Sequence, residues 1–176
     1  MVAQTAAILL YLGPRLGLVA KSEAGRLWTH QIQLTVADAV AEVHDTHHPI
    51  SSASYYADQK LEAGKRAQAF RTQRLPKYLG WFEAILARNR GNAGAAKLHL
   101  VGRRLSYADL SLFQLVDGLS YAFPVATRRV LGKLPLVARL HREVALHRRV
   151  AAYLQSERRI AFNLDGIFRY YPELDA

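Results

Sequence analysis

The densest group of side chains able to do chemistry is His44-Asp45-Thr46-His47-His48. His44 and His48 stand four apart, so on a helix they share a face and could hold a metal ion together. Two imidazoles leave a zinc ion short of ligands, Asp45 points elsewhere on the helix, and no distant partner is evident in the sequence. No metal is therefore expected, and the cluster reads as partly charged histidines favoured by a helix C-terminus. A second group, Ser106 and Asp109, stands three apart before an apolar stretch. That is the spacing of a reciprocal cap: the hydroxyl accepts from the Asp109 N–H, and the carboxylate reaches back to the Ser106 N–H. Leu105 and Leu110 are placed to staple across the cap. There is no glycine-rich phosphate loop, no HExxH and no GxSxG element.

The elements that would position these groups are helices. Gln4 to Leu12 reads as a short apolar helix stopped by Gly13-Pro14. Ser22 caps a second helix, with Trp28, Ile32, Val36, Ala39, Val40 and Val43 at helical spacing, ending at His47-His48-Pro49. A turn-rich link follows. A long helix is expected from Asp58 to Asn89, kinked at Pro76, which has no N–H and crowds the preceding turn. Asn89 to Lys97 is a loop. The capped helix from Ser106 to about Phe123 is apolar on nearly all sides and should lie at the centre, with Pro124 ending it. Two shorter helices are expected around Pro135 to Leu146 and Val150 to Arg158, then an aromatic, irregular tail from Phe162 to Asp175. No strand alternation appears, so the fold class is all-α.

The composition narrows the function classes. A chain of 176 residues with 51% hydrophobic content suits one domain with a real core. Without a cysteine there is no disulfide frame and no thiolate site, which fits a cytoplasmic protein. The apolar run Ala6 to Leu12 is far too short to span a bilayer, and no basic segment precedes it. The net charge of +10 is concentrated in the second half, where arginine pairs recur at Arg103-Arg104, Arg128-Arg129, Arg148-Arg149 and Arg158-Arg159. No nucleic-acid motif accompanies it, so the charge reads as a solvated helical surface.

The pattern Leu-x-Gly-x-x-Leu-Ser-x-Ala-Asp-Leu over residues 100–110 resembles the start of the central helix in the C-terminal domain of glutathione transferases. Gln4-Thr5-Ala6-Ala7-Ile8-Leu9 resembles the family's Gln/Glu-Ser/Thr-x-Ala-Ile element, which opens the last helix of its thioredoxin-like domain. Val43 to Ile50 with Tyr55-Tyr56, and Phe162 to Leu174, resemble a bacterial, sigma-like group. The resemblance implies a remnant of the thioredoxin-like domain over 1–13, a linker over 14–21 and the C-terminal helical domain over 22–176. It implies that Gln4 and Thr5 bind the γ-glutamyl end of glutathione, and that Asp38 offers an acid across a homodimer to the γ-glutamyl amine. His44, Ile50, Phe162 and Phe168 would wall the pocket for small electrophilic substrates. Ser106 and Asp109 keep the structural role of the cap. The thioredoxin-like sheet and its thiolate-stabilising residue do not match any part of the chain. The expectation is thus a truncated transferase, inactive alone and binding glutathione weakly or not at all. The alternative is a non-catalytic helical module that docks protein or RNA.

Overall fold

The computed structural model describes residues 1–176 and contains helices, turns and loops only. Eight α-helices follow in order: α1 (Thr5–Leu16), α2 (Glu23–Asp45), α3 (Lys60–Ala69), α4 (Leu75–Arg88), α5 (Tyr107–Ala122), α6 (Pro124–Leu131), α7 (Pro135–Ala145) and α8 (Arg148–Leu154). The expected all-α fold is borne out. No helix is long and apolar enough to cross a membrane.

Helix α5 is the centre, with α2, α6 and α7 packed around it. Its buried side chains, among them Leu112, Phe113, Leu115, Val116 and Leu119, point in every direction, as its unbroken apolar pattern requires. The cap at its start is closed in both directions. The Asp109 carboxylate accepts from the Ser106 N–H at 2.7 Å and from the Ser106 hydroxyl at 2.8 Å. It also accepts from the N–H of Leu100 at 2.7 Å, which ties the preceding loop to the helix. Burial pushes the Asp109 pKa up, against the pull of these donors and of His99.

Several boundaries differ from the sequence expectation, among them the end of α2, at Asp45 instead of His47-His48-Pro49. Helix α1 runs through Gly13-Pro14 to Leu16. The stop is Gly17, at φ 68°, with Gly17 N–H bonded to Pro14 O and Leu18 N–H to Gly13 O, a Schellman closure. Gly13 serves packing instead: a Cβ there would lie 2.7 Å from the Tyr107 ring. The long helix expected from Asp58 to Asn89 is divided. A 3-10 turn (Tyr56–Gln59) leads into α3, and one π turn (Phe70–Arg74) separates α3 from α4. Pro76 falls in the first turn of α4, where its missing N–H costs least, and the widened turn absorbs its ring. Pro124 ends α5 and also opens α6, which the sequence reading left out. The last short helix, α8, begins at Arg148 and ends at Leu154, four residues before the expected Arg158.

The tail after α8 is irregular, as expected, and is tied down at several points. Tyr171 stacks on Tyr56 at 3.8 Å, and the Tyr56 hydroxyl donates to Glu173 at 2.9 Å. The Asp175 carboxylate accepts from Val125 N–H at 2.6 Å and Ala126 N–H at 3.1 Å, capping α6. Phe168 lies against Gly118 of α5 so closely that a Cβ there would sit 2.5 Å from the ring. These anchors hold the 162–171 segment against α2 and α5.

Candidate functional site

A groove of about 630 Å³ lies between the start of α1, the inner face of α2, α5 and the tail. Its lining on α2 runs from Gln33 to Asp45, about 18 Å at the helical rise. Val36, Val40 and Leu115 make the wall apolar, and Ile167 and Phe168 bring the tail onto it. An apolar concavity of this size with a few polar groups is the usual form of a small-molecule site.

The start of α1 supplies the polar end of that chemistry. No side chain caps this helix, and its first internal hydrogen bond is Ile8 N–H to Gln4 O at 2.9 Å. The N–H groups of Thr5, Ala6 and Ala7 are thus left by the helix geometry without internal partners, at the positive end of the helix dipole. Such an open N-terminus suits a carboxylate or phosphate. Gln4 holds it at φ 66°, ψ 124°, a conformation costing about 1–3 kcal/mol for a non-glycine residue. Strain of this kind concentrates at ligand-holding positions.

The structure brings Gln4, Thr5, His44 and Phe168 together in the lining. Phe162 stands behind it, stacked on Tyr121 at 5.0 Å and edge-on to Phe168 at 6.1 Å. Ile50 is 66% exposed and outside the lining. Asp38 is exposed on α2, next to the groove-lining Ala37 but not itself in the lining. Ser106 and Asp109 are buried at the start of α5, where they shape the scaffold.

Sequence reasoning missed Gln33, Ser111 and Gln114, which also line the groove. Gln33 is buried, and its Oε1 has no hydrogen-bond partner. Its signal was a polar residue on the apolar face of α2, three before Val36 and seven before Val40.

The histidines differ from expectation in both number and charge. His47 joins His44 and His48, because the chain turns beyond the end of α2 and places its ring back against the pair. His47 Nε2 contacts the Ile167 carbonyl at 2.8 Å, so this nitrogen carries the proton. Burial, aided by the charge of Arg169, pushes the His47 pKa down to about 4, and His48 is lowered for the same reason. Both shifts favour the neutral rings of His47 and His48 over the charged forms that a helix C-terminus would favour.

Residues 44–157 match the family model described as glutathione S-transferase, C-terminal domain. The chain belongs to the glutathione S-transferase family. It is 27% identical over 124 residues to the glutathione S-transferase of Plasmodium falciparum, covering 70% of this chain and 52% of that protein. The chain thus spans about half the length of the curated relatives it matches. Its fold superposes on the Pi-class glutathione S-transferase of Onchocerca volvulus with a TM-score of 0.66 at 21% identity, over 88% of this chain and 64% of that one. Prostaglandin synthase D of Nilaparvata lugens gives a TM-score of 0.69 at 19% identity, over 91% of this chain and 70% of that one. The transferase C-terminal domain assigned from the Ser106–Asp109 pattern is borne out. The groove lies in part outside the matched segment, since Gln4, Thr5, Ile167 and Phe168 flank it on both sides.

Proposed function

We propose that the groove takes the conjugation partners of a glutathione transferase: the γ-glutamyl end of glutathione at the start of α1, and an apolar electrophile against Val36, Leu115 and Phe168. The observation that carries this reading is the opening of an uncapped helix N-terminus into the same cavity as an apolar wall. The two features suit a ligand with a carboxylate at one end and a hydrophobic group at the other. The Gln4 side chain and the Thr5 hydroxyl add donors and acceptors to the N–H groups of the first turn. Exposed Asp38 is offered to the γ-glutamyl amine bound by a second copy, which makes a homodimer the working form.

These 176 residues bind the substrates and do not themselves activate the thiol. A free thiol titrates near ~8.5, so forming glutathione thiolate at neutral pH needs a donor or positive dipole at its sulfur. The groove lining contains no tyrosine, cysteine, lysine or arginine. The α1 N-terminus with Gln4 and Thr5 is taken by the γ-glutamyl end, and the remaining donors (Ser111, Gln33, Gln114 and His44) have no place at the sulfur in this reading. In the family that task falls to the thioredoxin-like domain. The absence of cysteine fits work in the reducing cytoplasm.

The test is a pair of titrations on the purified chain, with glutathione and with its S-hexyl thioether, followed by amide NMR. The thioether should bind about tenfold or more tighter, because its alkyl chain is buried against the apolar wall. Thr5→Ala and Gln4→Ala should weaken both ligands. Equal affinities, or shifts confined to surfaces away from the groove, would overturn the reading. Conjugation of glutathione to an aryl halide by this chain should run at the uncatalysed rate.

A further inference from the structure

We propose that His44, His47 and His48 form a binding site for one divalent first-row transition ion, with zinc as the reference metal, at the edge of the groove. The three rings each offer a nitrogen, and these atoms all lie within 4.8 Å of one another. In a tetrahedral zinc site with Zn–N bonds of 2.0–2.1 Å, ligand nitrogens stand about 3.3 Å apart. The required movement is small and falls on the right residues. His44 and His48 are partly exposed and can rotate, while His47 is buried and held.

The hold on His47 is the second observation. Its Nε2–H donates to the Ile167 carbonyl at 2.8 Å, leaving the Nδ1 lone pair bare and aimed at its neighbours. This is the outer hydrogen bond that metal-ligating histidines almost always make, and it sets both tautomer and ring orientation. The bare Nδ1 lies 2.5 Å from Nδ1 of His48. Two lone pairs cannot face each other at that distance, so in the metal-free protein His48 Nδ1–H donates to His47 Nδ1. A bound ion takes the place of that shared proton. His48 then carries its proton on Nε2, and no net proton is released from the two neutral rings.

The chemistry of the donors selects the ion. Three imidazoles suit zinc, copper and nickel, and offer nothing to magnesium or calcium, which require oxygen. Arg169, whose charge acts on His47 and His48, opposes any cation, so affinity must come from coordination rather than from net charge. Three protein ligands leave a fourth position to water or another ligand. His44 belongs to both the cluster and the groove lining, so that position lies at the edge of the substrate cavity.

Four other histidines are present (His30, His99, His141 and His147), and the experiment must tell them apart from the cluster. Protein free of any polyhistidine tag is titrated with Co(II), read by its visible absorption, and then with Zn(II) as competitor. One equivalent is expected, with the absorption of a four- or five-coordinate ion. His44→Ala and His48→Ala should each weaken zinc by about tenfold or more. His47 is buried and its replacement can unfold the chain, so the third ligand is read in the wild type by long-range imidazole ¹⁵N NMR. Zinc should shift Nδ1 of His47 and leave its Nε2–H bonded to Ile167. Magnesium should produce no change. No saturable binding, one equivalent retained at full affinity in both alanine variants, or an unshifted His47 Nδ1 would each overturn the proposal.

Discussion

The start of α5 and the starts of α6 and α7 solve one problem in two ways. The start of α5 is buried, those of α6 and α7 are partly exposed, and each has N–H groups that need acceptors. At α5 the Asp109 carboxylate takes the Ser106 N–H from three residues away, and only the Tyr107 N–H goes to a distant acceptor, Leu18 O at 2.8 Å. Helices α6 and α7 both open on proline with no side-chain cap of their own. Asp175, at the far end of the chain, caps α6, and Glu83 of α4 caps α7 through Leu136 N–H at 3.0 Å and Val137 N–H at 2.8 Å. A local cap starts a helix, whereas a remote cap also fastens one part of the fold to another. The Asp175 cap is one of the anchors that hold the tail, and the tail carries Phe168 into the groove and the Ile167 carbonyl onto His47.

The largest effect is expected from Asp109→Ala, at about 3 kcal/mol or more in chemical denaturation, because it leaves three buried donors unpaired. The groove of the folded fraction should still bind the S-hexyl thioether of glutathione. Asp175→Ala should cost less, about 2 kcal/mol for two lost N–H acceptors. Its distinctive effect should be faster hydrogen exchange over residues 162–174 and weaker thioether binding. If Asp109→Ala and Asp175→Ala changed tail exchange equally, the division between local and fastening caps would fail. Ser106→Ala should cost about 1 kcal/mol, since Asp109 keeps both of its backbone donors.

The smallest effect concerns pH. Glu42 links α2 to the π turn through Arg74 at 2.6 Å and to α4 through Tyr78 at 2.7 Å. The hydrogen bond from Arg74 leads in holding its carboxyl below the usual 4.5. A carboxylate lowered in the folded state adds stability above its unfolded pKa and loses it as pH falls through the folded value. Glu42→Gln should therefore be less stable than the wild type at pH 7, with the gap closing below pH 4.5. A gap that stayed constant down to pH 3 would remove the carboxylate from this account.

The same divide separates what was readable in one dimension from what was not. Ser106 and Asp109 could be paired because a helix start is decided within one turn. Gln4 and Thr5 were legible as the opening of a helix, although the true stop at Gly17 was hidden by the more conspicuous Gly13-Pro14. His44 and His48 were legible as a pair at helical spacing. His47 was not: beyond the end of α2 at Asp45 the His48 N–H still reaches His44 O at 3.2 Å and keeps the helical register, whereas the spacing of His47 places its ring on another face. Its ring is set instead by the Ile167 carbonyl, 120 residues later.

Periodicity and short-range hydrogen bonding alone were enough to establish an all-helical protein with a capped central helix, since both act between residues a few positions apart. The long-range features needed the folded chain. The caps on α6 and α7, the seating of Phe168 against Gly118 and the third histidine all depend on contacts between distant segments. Such contacts form only when burial of the α5 core has brought those segments together, and no spacing along the chain encodes them.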